Sequence, residues 1–221
     1  MNAAFCLLVV AKAPIAGFAK TRLCPPASPR QAAEIAAAAL LTTLTAVAAT
    51  PRSVPVVAVT GDFGKAVRAA ELAQAMSGMT VIAQRGRVFG ERLANAHTDA
   101  AAVLGLPVLQ IGMDTPQVTS ELLAGTAADL LVANRDAVLG PAEDGGWWAL
   151  GLRDPRAAKV LAGVPMSQPD TGSRTLRALT AAGLRTVPVA QLTDVDTMAD
   201  ARRVARLAGG RFAEAVAAVP R

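Results

Sequence analysis

Aromatic side chains make up only 3% of this 221-residue chain. That excludes a row of stacking platforms along a basic groove, the usual means of holding single-stranded nucleic acid. There is one histidine, His97, and there are two cysteines, Cys6 and Cys24. A single histidine rules out multi-histidine zinc sites, and any histidine-based triad would have to use His97 itself. His97 falls mid-pattern in Gly90-Glu-Arg-Leu-Ala-Asn-Ala-His97 and reads as an ordinary helix residue. Cys6 lies in an apolar run and Cys24 in a proline-rich loop, which gives neither a disulfide framework nor Cys-x-x-Cys spacing and fits a reducing cytoplasm. Charge is sparse as well: the net charge of +5 is scattered along the chain. The expectation is a mild general attraction for small anions and no nucleic-acid partner.

What the chain has is apolar bulk, 52% of its residues, enough to fill a sizeable core in one domain spanning residues 1–221. The stretch Ala32 to Ala49 is long enough for a membrane span, but alanine is weakly apolar and Glu34 interrupts it. Ala37, Leu40, Leu41, Leu44, Val47 and Ala48 trace a helical stripe there, so a buried amphipathic helix is expected and no membrane span. The apolar run Phe5–Ala11 lacks the charged flank of a signal peptide and reads as a strand.

Further along, short apolar runs alternate with helical patterns. Helices are expected over Arg30–Ala49, Phe63–Met76, Gly90–Leu104 and Thr119–Leu130, and strands over Val54–Thr60, Met79–Ala83 and Pro107–Gly112. This rhythm predicts a mostly parallel sheet with helices on both faces. After Leu131 it breaks into two short strands, Ala137–Gly140 and Trp147–Gly151, around Pro141-Ala-Glu-Asp144-Gly-Gly146. Another strand at Arg185–Val189 and helices over Met198–Ala208 and Arg211–Ala218 close the chain. Alanine-rich helices also offer apolar surface for a homodimer, although periodicity cannot separate core from interface.

Ligands of open α/β sheets gather at the carboxyl ends of the strands. Three groups fall there: Lys12 to Arg22, Gly112 to Pro116, and Asp194 to Asp196. In the loop Ala11-Lys-Ala-Pro-Ile-Ala-Gly-Phe-Ala-Lys20-Thr-Arg22, Gly17 allows close backbone approach, and Lys20, Thr21 and Arg22 follow it. Arginine offers a bidentate fork for phosphate and lysine a mobile charge. The spacing is neither that of a P-loop nor that of a dinucleotide fold. Asp114, after a strand-like run, is either a ligand for Mg²⁺ or, with Thr115, the opening of the next helix. Asp196 carries the same two readings. Glu143, Asp144, Gly145 and Gly146 suit a tight hairpin or a loop lying against a substrate. Of Trp147 and Trp148, adjacent on a strand, at least one should face the core.

Together Ala11-Lys-Ala-Pro-x-x-Gly-x-x-Lys-Thr-Arg-Leu, Phe89-Gly-Glu-Arg-Leu93, Gly112-Met-Asp-Thr-Pro116, Gly140-Pro-Ala-Glu-Asp-Gly-Gly146 and Asp194-Val-Asp-Thr resemble an uncharacterised group of bacterial transferases. That group has the glycosyltransferase-A, or nucleotide-diphospho-sugar transferase, fold and is similar to phospholactate and molybdenum-cofactor guanylyltransferases. The resemblance implies a single-domain, Rossmann-like α/β fold. It implies that Lys12, Lys20 and Arg22 bind nucleotide phosphates, that Gly90 and Arg92 border the nucleotide, and that Asp114 binds Mg²⁺ (or Mn²⁺) with Asp196. Asp144 and its glycines would face a small-molecule acceptor. Lys20, Arg22, Asp114 and Asp144 are then the expected catalytic groups. The expected reaction is nucleotidyl transfer from a nucleoside triphosphate to a phosphorylated acceptor. Glycosyl transfer from a nucleoside-diphosphate sugar is the alternative, and a non-catalytic nucleotide-binding or interaction module is the third reading. Two departures are visible: the first loop has one glycine where sugar nucleotidyltransferases have several, and Asp-Thr-Pro replaces Asp-x-Asp.

Overall fold

The computed structural model describes residues 4–220. Seven strands form one sheet in the order β3-β2-β1-β4-β6-β5-β7. They are β1 (Phe5–Lys12), β2 (Ser53–Thr60), β3 (Thr80–Ala83), β4 (Val108–Gly112), β5 (Ala137–Pro141), β6 (Trp147–Leu152) and β7 (Thr186–Pro188). Only β6 runs against its neighbours. From β1 the chain winds outward through β2 to β3, then returns to β4 on the other flank of β1. Lys12 at the end of β1 and Gly112 at the end of β4 therefore open the crevice where the winding reverses, which is where ligands of such sheets bind.

The helices are α1 (Pro29–Ala49), α2 (Ala69–Met76), α3 (Phe89–Leu104), α4 (Ser120–Leu131), α5 (Thr171–Ala181), α6 (Met198–Ala208) and α7 (Gly210–Ala217). Pro29 opens α1 behind a capping box between Ser28 and Gln31. α1 is buried on two sides, not along one stripe. Leu40, Leu41, Leu44 and Val47 pack toward the sheet, while Ala32, Ile35, Ala38 and Ala39 pack against α6 and α7. Ala48, placed on the stripe by periodicity, is exposed. Double burial explains why the helix is apolar almost all round.

Two expectations are corrected. The single helix over Phe63–Met76 is broken: Asp62 accepts a hydrogen bond from the Gly64 N–H and starts a short 3-10 turn, Phe63–Lys65, and Arg68 in the left-handed region (φ 59°) separates it from α2. A nine-residue 3-10 segment, Pro155–Gly163, capped by Asp154, appears where no helix was expected. It packs on α3 so closely that a Cβ on Gly90 would lie 2.3 Å from the Leu161 carbonyl oxygen.

Candidate active site

A cavity of about 780 Å³ opens at the carboxyl ends of β1 and β4. Lys12, Lys20, Thr21, Arg22, Arg92, Asp114, Asp144, Gly146 and Asp196 all line it, so the three sequence groups do converge. The convergence has a mechanical basis. The Val195 N–H donates to the Asp114 carbonyl at 3.0 Å, and Gln117 Nε2 donates to the Thr193 carbonyl at 2.7 Å, tying the loop before α6 to the loop after β4. Neither aspartate is spent on capping. Thr119 accepts from the Leu122 N–H at the start of α4, and Thr197 forms a capping box with Asp200 at the start of α6.

Both free carboxylates meet at one ammonium. Lys20 Nζ lies 2.9 Å from Asp114 Oδ2 and 3.1 Å from Asp196 Oδ1, and Arg22 Nη1 lies 3.2 Å from Asp196 Oδ2. Burial alone would lower the Lys20 pKa, but the attraction of Asp114 and Asp196 outweighs it and the pKa is raised. Asp194, beside this cluster, has its pKa pushed up to about 7, first by burial and then by the like charges of Asp114 and Asp144. Its buried Oδ1 has no hydrogen-bond partner. Four carboxylates, Asp114, Asp144, Asp194 and Asp196, and four cations, Lys12, Lys20, Arg22 and Arg92, line the cavity.

The four cations that line the cavity differ in their partners. Lys20 and Arg22 are engaged by carboxylates, whereas Lys12 and Arg92 have no carboxylate partner among the described residues. Lys12 sits over the Phe18 ring at 3.8 Å and Arg92 over the Phe89 ring at 5.4 Å. Burial, and then repulsion from Arg92, lower the Lys12 pKa. Asp114 attracts Lys12 from beyond ion-pair contact, and two cations facing one cavity with no carboxylate in ion-pair contact form a natural seat for an anion.

Other expected residues go elsewhere. Glu143 turns out of the cavity and pairs with Arg203 of α6 at 2.7 Å. Gly90 is the packing glycine against Leu161 and does not line the cavity. Gly17 has φ 75° and nothing near its Cβ position, so it serves the turn of the first loop. Gly145 has φ 88° and presses against the Pro169 carbonyl. Of the two tryptophans, Trp148 is in the core and Trp147 lines the cavity.

Two glutamines escaped sequence reasoning. Gln84, just after β3, donates through Nε2 to the Ala11 and Ala58 carbonyls at 2.9 Å each. That fixes its amide and leaves Oε1 as the free acceptor. Gln110 sits in the apolar run of β4, and a polar residue inside a buried strand was the available signal.

A hard divalent cation fits this donor set, which is all carboxylate oxygen with an unpartnered Asp194 Oδ1 beside it. Among the described residues no three acidic, histidine or cysteine side chains form a complete cage. Asp114 and Asp196 would supply two carboxylates to such an ion, and phosphate and water complete such shells for Mg²⁺.

The model of the bacterial family described as "uncharacterized protein conserved in bacteria (DUF2064)" matches residues 43–168, more than half of the chain. The chain belongs to that family. Among solved structures, a candidate nucleotide-diphospho-sugar transferase from Desulfovibrio desulfuricans G20 is similar over 98% of each chain, with 25% identity and a TM-score of 0.82. A cytidylyltransferase from Leptospira borgpetersenii is 12% identical with a TM-score of 0.59, covering 99% of this chain and 94% of its own. CMP:2-keto-3-deoxy-manno-octonic acid synthetase in complex with CTP is 11% identical with a TM-score of 0.54, covering 93% and 98%. The fold of this DUF2064 member is therefore that of the nucleotidyltransferases and nucleotide-sugar transferases, as the motifs led one to expect. No functionally curated protein matches the sequence.

Proposed function

We propose that this protein is a metal-dependent transferase acting on a nucleotide, with nucleotidyl transfer from a nucleoside triphosphate to a small phosphorylated acceptor as its reaction. The observation that carries the reading is the meeting of Asp114 and Asp196 on Lys20, beside the unpaired cations Lys12 and Arg92 in one cavity. The names of structural neighbours, cytidylyltransferases among them, support nucleotide chemistry.

Lys12 and Arg92 hold phosphate oxygens, the arginine through its planar fork. Asp114 and Asp196 hold Mg²⁺, which supplies charge neutralisation at the phosphates when bound. Phosphate arrival draws Lys20 and Arg22 from the carboxylates toward charge developing on the leaving group, an electrostatic contribution that needs no histidine base. Asp144, which accepts from the Gly146 N–H at 2.8 Å, is fixed at the acceptor side of the cavity. Free Cys6, buried, and Cys24, half-buried, support a reducing cytoplasmic setting.

Glycosyl transfer from a nucleoside-diphosphate sugar is the second reading. Asp144 favours it, because a carboxylate lining the cavity is suited to take a proton from an acceptor hydroxyl.

Thermal unfolding against nucleoside triphosphates and nucleoside-diphosphate sugars, with and without Mg²⁺, tests the proposal. A ligand at a hundredfold excess over its Kd adds about 2.7 kcal/mol of apparent stability. The expected result is a Mg²⁺-dependent shift in wild type that Asp114→Asn abolishes. A shift with nucleoside-diphosphate sugars alone and no triphosphate turnover would reverse the order of the two reactions. No shift with any nucleotide would leave an interaction module that uses the fold only for partner contacts.

A further inference from the structure

The Lys20 ammonium occupies the place between Asp114 and Asp196 where a divalent ion would be held. Its side chain is 11% exposed, against 38% for Asp114 and 32% for Asp196, so the charge lies beneath the two carboxylates. With Arg22 on Asp196 Oδ2, both oxygens of Asp196 already face a cation. Two carboxylates and two cations in direct contact carry no net charge, and a bare divalent ion finds little field to draw it in. Nor can both cations share the seat. The ammonium keeps the oxygens at 2.9 and 3.1 Å, whereas Mg²⁺ needs them at about 2.1 Å, and the two positive charges would repel. The backbone is bent to this purpose: Lys20 is left-handed (φ 52°, ψ 39°), and its side chain caps no helix. A residue other than glycine is strained there and persists only where its surroundings hold it. The flexible four-carbon stem still lets the ammonium leave while the backbone stays.

We infer that Lys20 is a built-in counter-ion that keeps free divalent cations out of the seat between Asp114 and Asp196, and that a polyphosphate chain opens the seat by drawing the ammonium away. The second half rests on the metal-dependent transferase reading and adds an order to it: the protein takes up the metal together with the phosphates and holds none tightly before them. A polyphosphate in the cavity, met by Lys12 and Arg92, gives the ammonium a second anionic partner. Once Lys20 has turned to it, two carboxylates face Arg22 alone and attract the ion that neutralises them. No covalent bond changes; one cation is exchanged for another. Because the coupling is reciprocal, metal and polyphosphate strengthen each other's binding through Lys20.

Mn²⁺ takes the same oxygen ligands, and its free fraction is read by electron paramagnetic resonance. It is titrated into nucleotide-free wild type, Lys20→Met, Lys20→Gln, Lys20→Arg and the double variant Lys20→Met with Asp114→Asn. The two neutral variants should bind Mn²⁺ at least about tenfold more tightly than wild type. Lys20→Arg keeps a cation and should stay with wild type, and the double variant should lose the gain. With saturating inorganic tripolyphosphate the gap between wild type and the neutral variants should shrink to about twofold or less, since the ammonium has then left the seat in wild type; chelation by the polyphosphate is common to all and cancels. Thermal unfolding gives a second readout. In chelator the neutral variants should melt below wild type, and Mg²⁺ at a hundredfold excess over its Kd should raise their melting temperature by about 5 °C or more while leaving wild type unchanged. Equal Mn²⁺ affinity in wild type and neutral variants, whether tight or weak, would overturn the counter-ion role, and a gap that persists under tripolyphosphate would overturn the opening of the seat. If wild type shows no Mg²⁺-dependent nucleotide binding while the neutral variants gain metal affinity, the transferase reading fails and the exclusion of metal by Lys20 stands; nucleotide binding without that gain does the reverse.

Discussion

Burial holds the His97 imidazole neutral. It is fully buried in α3, neither ring nitrogen has a hydrogen-bond partner, and its pKa falls to about 3 from about 6.5 in an open chain. Between these values the unfolded chain binds a proton that the native state refuses, so stability rises with pH across the window and is lost as pH falls below about 6.5. At pH 4.5 the loss from this one group is on the order of 2–3 kcal/mol. Urea unfolding of wild type and His97→Leu at pH 7 and pH 4.5 isolates it: the variant should lose less stability on acidification by that amount. Parallel losses would mean that His97 finds a proton in the fold. The sequence supported the bland reading of this residue because helical periodicity placed it mid-helix. Depth of burial, which decides its pKa, depends on the sheet beneath and is not a local property. The same limit applied to Asp114 and Asp196, where local sequence offered both capping and ligation, and only the capping by Thr119 and Thr197 leaves the carboxylates free.

At the level of elements, strand and helix alternation carried most of the fold because period and turn chemistry are local signals. It failed where a single backbone choice breaks a pattern, as Arg68 does between Lys65 and α2, and where a segment exists only through its contacts, as Pro155–Gly163 does against α3. The hairpin between β5 and β6 was legible, but its partner was not. Gly145 has φ 88°, an added Cβ would lie 1.8 Å from the Pro169 carbonyl oxygen, and the Gly172 N–H donates to the Gly145 carbonyl at 2.8 Å. The glycine pair therefore docks the hairpin on the start of α5 and sets the wall of the cavity that contains Trp147. Gly145→Ala combines a left-handed backbone with a backbone clash and should cost at least about 2 kcal/mol. Gly163→Ala, with open space around its Cβ position, should cost less than about 1 kcal/mol. Comparable changes in urea midpoint for the two would show that the hairpin tip is free to move away from Pro169.

Across the whole molecule, the charged centre depends on a small core on the far side of α1 from the sheet. That core gathers Leu23 and Ala27 from the first loop, Ile35 and Ala38 from α1, Val195, Met198 and Val204 around α6, and Phe212 and Val216 from α7. Leu23 follows Arg22, and Val195 precedes Asp196, so the core grips the chain next to both partners of the Lys20, Arg22 and Asp196 cluster. The sheet carries Lys12 and leads into Asp114, whose carbonyl the Val195 N–H also holds; the second carboxylate comes from a loop whose position is set by α6 and α7. Phe212 is fully buried at the centre of this arrangement. Phe212→Ala should cost about 3–5 kcal/mol, and in the fraction that remains folded it should weaken Mg²⁺-dependent nucleotide binding, although residue 212 touches no ligand. A buried phenylalanine on the sheet side, Phe5→Ala, should show a comparable loss of stability with less effect on that binding, since it supports neither Leu23 nor Val195. Urea unfolding gives the first quantity, and titration with nucleotide and Mg²⁺ under conditions where each variant is folded gives the second. If the two variants lose binding equally for equal loss of stability, the site is carried by global stability and not by the α6 and α7 core.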